Sequence, residues 1–220
     1  LMATTKIVDL IERAEIITQD KTSVRWPKSE WLTWYNDAIL FVVNRRPDKA
    51  VKNTNFTVDH TNSRQTLPGD ALSLFTATRN VSSGKPIRQL SRNQLDDQYD
   101  DWHSHTGDNI DHYIYDPRDP THFYIYPRPT VAGHTIEIMY PFAPEAVVIT
   151  NFETDTTVIG IDDSFLNSII DFMLYRAYSK DADYAENGQR AVAALQAAES
   201  GLGTKTQVDS AVLTKENRNG

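Results

Sequence analysis

Between residues 5 and 18 the apolar side chains Ile7, Leu10, Ile11, Ala14 and Ile17 return every three or four positions, a spacing that predicts a helix with one buried stripe. Thr4 or Thr5 can cap its start. Residues 21–25 read as a short extended link. Pro27 suits a first helical position, and no further proline or glycine interrupts the chain before Pro47, so a second helix is expected up to Arg46. Along it Trp31, Leu32, Trp34, Tyr35, Ala38, Ile39, Phe41, Val42 and Val43 are apolar around most of the circumference. Such a helix needs neighbours on more than one side, from its own chain or from another copy.

From residue 53 to 150 the pattern changes to short β-branched and aromatic runs broken by Pro, Gly and Asn turns. The clearest element is a hairpin, residues 112–115 and 122–126, around the proline-stiffened turn Asp116-Pro117-Arg118-Asp119-Pro120. Residues 135–140 read as a further strand with Ile136, Ile138 and Tyr140 on one face, and residues 56–58 and 72–78 as others. Ser91 with Gln94 has the form of a capping box opening a short helix that carries Leu95 and Tyr99.

Helical spacing returns at Asp163, where Asp162 or Asp163 caps a stripe of Phe165, Leu166, Ile169, Ile170, Met173 and Ala177. A last helix is expected over residues 184–200, with a thin stripe of Ala191, Val192, Leu195 and Ala198, ended by Gly201 and Gly203. Residues 204–220 show no periodicity and read as a disordered tail. The fold class is therefore α+β: a helical bundle built from both ends (1–53 and 151–203) with an inserted antiparallel β domain (54–150) and a C-terminal tail (204–220).

Charge changes the picture in one respect. Residues 1–53 hold nine basic against seven acidic side chains, 54–150 seven against twelve, and 151–203 three against nine, so no basic stripe exists to neutralise a row of phosphates. Sequence-specific DNA binding is therefore not expected, and DNA, where it is met, should be repelled. No run of about 18 apolar residues offers a membrane span, and no secretory pattern opens the chain. The lack of cysteine removes disulfides, thiolate metal sites and cysteine nucleophiles together.

Candidate chemistry is thin. His103, His105, Asp108, Asp111 and His112 are metal-ligand types close in sequence, but their spacing matches no ligand pair and a solvated loop is the better reading. Asp96, Asp97, Asp100 and Asp101 could supply an acid and base only if two were held across a cleft; an acidic face is expected instead. No phosphate-cradling glycine loop or nucleophile elbow occurs, so neither cofactor nor metal is expected. Trp26, Trp31, Trp34 and Tyr35 lie at helical rather than groove spacing, and with Tyr175 and Tyr178 they read as core or subunit interface.

Two stretches carry a resemblance. RAEIITQDKTSVRWPKSEWLTWYNDAILFVVNRRPD (residues 13–48) resembles the N-terminal helical pair of short-tailed bacteriophage head-to-tail adaptors, the tail tubular protein A-like family. DFMLYRAYSKDADYAENGQRAVAALQAAESGLG (residues 171–203) is similar to their C-terminal pair, and YDPRDPTHFYIYPRP (115–129) with IEIMYPFAP (136–144) to their β region. The resemblance implies a non-enzymatic virion protein of the tail neck, assembled in the host cytoplasm as a dodecameric ring between the portal protein and the tail nozzle or tube, with tail fibres as a further partner. It makes residues 204–220 an arm that docks on the portal, through Thr204, Lys205, Gln207, Val208, Val212, Leu213, Lys215 and Arg218. Two other readings stand beside it: a tail-associated carbohydrate hydrolase using Asp96, Asp100 or Asp111, and a receptor-binding or fibre-docking module.

Overall fold

A computed structural model describes residues 4–181, 183 and 185–216. In chain order the elements are α1 (Ile7–Thr18), α2 (Lys28–Arg45), β1 (Val51–Thr57), β2 (Arg64–Thr66), β3 (Thr76–Asn80), β4 (Arg88–Gln89), α3 (Arg92–Gln98), β5 (Thr106–Gly107), β6 (His112–Ile114), β7 (His122–Tyr126), β8 (Arg128–Pro129), β9 (Thr135–Pro141), α4 (Leu166–Lys180) and α5 (Ala185–Glu216). They form two compact units: Leu1–Lys49 with Pro144–Gly220, and Ala50–Ala143.

In the helical unit α4 packs against α5, α2 and α1. Its Ile169, Met173 and Ala177 are fully buried, as are Ile7, Leu10 and Ala14 of α1 and Trp31, Ala38 and Val42 of α2. The apolar stripes thus cover one another, worth about 1.5–3 kcal/mol for each large side chain removed from water. Ile17 does not join them and is 51% exposed. The helix stops one residue later, at Thr18, and Gln19 caps it in the left-handed region (φ 60°).

The caps differ from expectation. Lys6, not Thr4 or Thr5, is the N-cap of α1. The Thr4 hydroxyl (2.6 Å) and the amides of Thr4 and Thr5 (3.0 and 3.3 Å) instead donate to the Asp163 carboxylate, tying the N-terminal segment to the start of α4, and the hydroxyl bond first, then the amides, hold the Asp163 pKa below the usual value. Asp162 caps that start as expected, accepting from Ser164 N–H at 2.8 Å.

α5 does not end at Gly201 and Gly203 but continues to Glu216, so residues 204–216 are helical rather than a disordered tail. Glycine costs only about 1 kcal/mol per position in a helix already propagating. Gly201 is used instead for close approach: a Cβ there would lie 2.5 Å from Ser168 Oγ of α4. The stripe of α5 is Asn187, Ala191, Ala198 and Leu202, while Val192, expected in it, is 58% exposed.

The β unit holds a three-stranded antiparallel sheet, β1-β9-β3, a four-stranded sheet, β2-β7-β6-β4, and the short pair β5-β8. The expected hairpin is present as β6 and β7, and Ile136, Ile138 and Tyr140 of β9 point into a core with Ala77, Ile110, Tyr113, Phe123 and Ile125. The sheets are not wholly antiparallel: β4 runs parallel to β6, and β5 to β8. Parallel pairing needs a crossover, which residues 90–111 supply with α3, opened by the Ser91–Gln94 capping box. Asn80 is fully buried at the junction of these elements. Its amide donates to Ile110 O (2.8 Å) and Lys85 O (3.1 Å), and its oxygen accepts from Ile110 N–H (2.9 Å).

Two outcomes are expected from these contacts. Asn80→Ala leaves buried backbone groups unpaired and should lower unfolding stability by about 3 kcal/mol in urea titrations. Gly201→Ala should destabilise the wild type yet stabilise a Ser168→Ala background by up to about 1 kcal/mol, since only the first retains the clash. Equal effects in both backgrounds would show that the α4–α5 approach is looser than described.

Candidate functional site

The expected interface aromatics separate into two groups. Trp26, Trp31 and Tyr35 are 1%, 0% and 1% exposed within the single chain. They are core, correcting the interface assignment for these three: rings already covered by their own chain have no area left for a partner. Trp34, Tyr175 and Tyr178 are half-buried and keep part of their surface.

The core rings meet edge to face, Trp26 on Trp31 at 5.8 Å and on Tyr178 at 6.2 Å, and Trp31 on Trp34 at 5.0 Å. These contacts join the 21–27 link and α2 to α4. The Trp26 and Trp31 indole N–H groups have no acceptor among the described residues, so the rings contribute by area and edge contacts. Tyr35 is oriented differently: its hydroxyl accepts from Gly160 N–H at 3.1 Å, and burial raises its pKa.

Sequence reasoning missed the ion pairs at the rim of this core. Arg25 reaches Asp181 (2.7 Å), Lys180 reaches Glu30 (2.7 Å), Arg176 reaches Asp37 (3.2 Å) and Arg45 reaches Glu199 (2.8 Å). Every pair has at least one well-solvated partner, so each is worth no more than about 1 kcal/mol. Their role is registry of α2 against α4 and α5. The signal was the excess of basic residues before residue 53 and of acidic ones after 151, which separation in sequence disguised.

In the β unit the candidate ligands and acids are occupied separately. His103 lies flat on Trp102 (3.6 Å) with Nδ1 2.7 Å from Ser63 Oγ; loss of water on that face, with Arg92 nearby, lowers its pKa. His105 pairs with Asp101 at 3.0 Å, and His112 stacks on Tyr126. No group of three His, Cys, Asp or Glu could hold a metal among the described residues. Asp96 accepts from Trp102 Nε1 (2.8 Å) and pairs with Arg92 (3.2 Å).

A cleft of about 600 Å³ opens between residues 89–92 and the 114–119 turn, but Asp96, Asp100 and Asp111 do not line it. Its own carboxylates are ill suited to acid catalysis. The Arg118 guanidinium fork holds Asp116 down to about 2, and His122 with Arg64 lowers Asp119. A general acid needs the opposite shift. The three expected acids are therefore not gathered into one site.

Of the expected arm, residues 204–216 lie on the end of α5. Arg218 falls outside the described residues. Gly201 sits beside Ser168, two residues into α4, so the last turns of α5 run on past the start of α4. No helix of the described residues is long and apolar enough to cross a membrane.

The rings and ion pairs of the helical unit hold α2 against α4 and α5. Residues 5–218 match the SU10 adaptor protein family, and the chain belongs to that family of phage head-to-tail adaptors. No curated protein matches it.

The division of the aromatics can be measured. Trp31→Ala should cost about 3–5 kcal/mol in unfolding stability, and Trp34→Ala clearly less, because only the first empties a core position. Acid should also weaken the fold in a defined window. His134, beside the buried Asn80, and His103 have pKa values lowered from 6.5, so the unfolded chain binds more protons as pH falls below about 6.5 and stability drops there. Unfolding midpoints between pH 7.5 and 5 should show this fall, and His134→Gln should reduce it.

Proposed function

We propose that this chain is one subunit of a closed ring, of the tail tubular protein A-like kind, that joins the portal protein to the tail nozzle or tube and leaves a channel for DNA. The observation that carries the reading is the family match over almost the whole chain, helices and β unit together. A dodecamer is the stoichiometry the resemblance implies, in the virion neck, after assembly in the host cytoplasm. Tail fibres are a further partner of the β unit.

Three physical features support the reading. The net charge of −8 suits a conduit from which phosphate must slide freely, since like charge prevents adhesion. The helical unit keeps apolar side chains in water, Ile16 at 57%, Leu40 at 43% and Val192 at 58% exposed, beside half-buried Trp34, Tyr175 and Tyr178. Such side chains gain area when a neighbouring copy covers them. The end of α5 offers a helical arm, with residues 204–220 assigned to portal docking. The hydrolase reading lacks comparable support, because its carboxylates are scattered.

Removal of residues 204–220 should abolish capture of the chain by its portal while the unfolding midpoint stays within about 2 °C, since surface changes seldom exceed about 0.5 kcal/mol. Undiminished capture would remove the arm assignment.

A further inference from the structure

One long sheet edge of the β unit is left open. The β1–β9 register is continuous from Val51↔Pro141 to Thr57↔Thr135. Val58 N–H donates to His134 O at 3.0 Å, and Phe142 N–H to Ala50 O at 2.8 Å, so the even-numbered residues of this stretch bond to β9. Antiparallel ladders alternate, which turns the N–H and C=O groups of Val51, Asn53, Asn55 and Thr57 away from the sheet. These groups have no hydrogen-bond partner among the described residues.

The other edges are protected. β3 carries a bulge between Ala77 and Arg79, and its outer side is closed by Ile87 N–H on Thr78 O (2.9 Å) and Asn80 N–H on Lys85 O (2.8 Å). β2 and β4 are only three and two residues long. β1 spans seven residues without proline or bulge, and Lys52 is its only charged residue, so a single lysine is the one device it carries against strand addition.

The same chain holds a strand without a sheet. Residues 146–150, Ala-Val-Val-Ile-Thr, have strong β propensity yet belong to no strand. The Asn36 amide grips Val147 as a neighbouring strand would: Val147 N–H donates to Asn36 Oδ1 at 2.9 Å, and Asn36 Nδ2 donates to Val147 O at 3.1 Å. Alternation then directs the backbone of Ala146 and Val148 the other way, where no partner occurs among the described residues. Val148 is 81% exposed.

We propose that residues 146–150 of one copy add as a strand to the β1 edge of a neighbouring copy. Open backbone groups on both sides complement each other, and only Lys52 is charged, so no like charges oppose the pairing. Donor and acceptor are different patches of the chain, which makes the contact heterologous, the kind that can close into a ring. The proposal rests on the ring reading for its neighbouring copy.

The chain lacks cysteine, which allows a clean test. Val148→Cys protein is mixed with Asn53→Cys, Asn55→Cys or Thr57→Cys protein, oxidised, and run on non-reducing gels, both free and assembled on its portal. A Val148–β1 heterodimer should be the dominant cross-linked species for at least one β1 position. Val131→Cys, at a site 65% exposed outside both segments, serves as the control partner and should give little. Absence of the heterodimer in both preparations, prevalence of β1 homodimers, or equal cross-linking by Val131→Cys would each overturn the proposal. Portal capture is a separate readout: its loss with a retained heterodimer would count against the adaptor reading, and the reverse against strand addition alone.

Discussion

The helical unit depends on how α2 is covered. A helix apolar on most sides is stable only when other elements surround it, and here α1 and α4, drawn from opposite ends of the chain, both pack on it. Trp26 and Trp31 provide the contact area, and the Arg25–Asp181 and Lys180–Glu30 pairs fix the register at the rim. The two roles are different in kind. Buried rings supply free energy, whereas solvated ion pairs select among alignments of similar stability.

Within the β unit, polar side chains hold backbone in place. Asn80 bridges β3 to Ile110, the Gln65 amide closes the 59–62 turn, and Arg118 with Asp116 stiffens the tip between β6 and β7. Asp116 beside Arg118, Asp119 beside His122 and Arg64, and Glu137 beside Asn53 and Arg79 have pKa values lowered by those hydrogen bonds, which favour the charged form. His103 and His112 stack on rings, and His105 and His122 each pair with one acid. That economy accords with an adaptor, whose work is to present surfaces in fixed relation.

The reading from sequence succeeded where burial is one-sided. Ile136, Ile138 and Tyr140 alternate because β9 has one face in the core, and Leu10, Ile11 and Ala14 recur at helical spacing for the same reason. It caught only the end of β1, in the strand read at 56–58, because residues Lys52 to Asn55 are exposed on both faces and so carry no alternation. It failed at Gly201, where the residue that usually ends a helix is present to admit Ser168. Among the aromatics it could not divide buried Trp31 from half-buried Trp34, because neighbouring positions on one helix differ only in what stands opposite.

By itself, then, the sequence determined the periodic elements, the hairpin turn and the capping box at Ser91. These depend on residues near one another in the chain, where propensity and spacing act directly. Tertiary structure decided which aromatics are spent on the core, which basic residue meets which acid, that β4 and β5 pair in parallel, and which sheet edge stays open. Those outcomes are set by contacts between residues tens to more than a hundred positions apart, such as Arg25 with Asp181, and no local pattern encodes a partner at that distance.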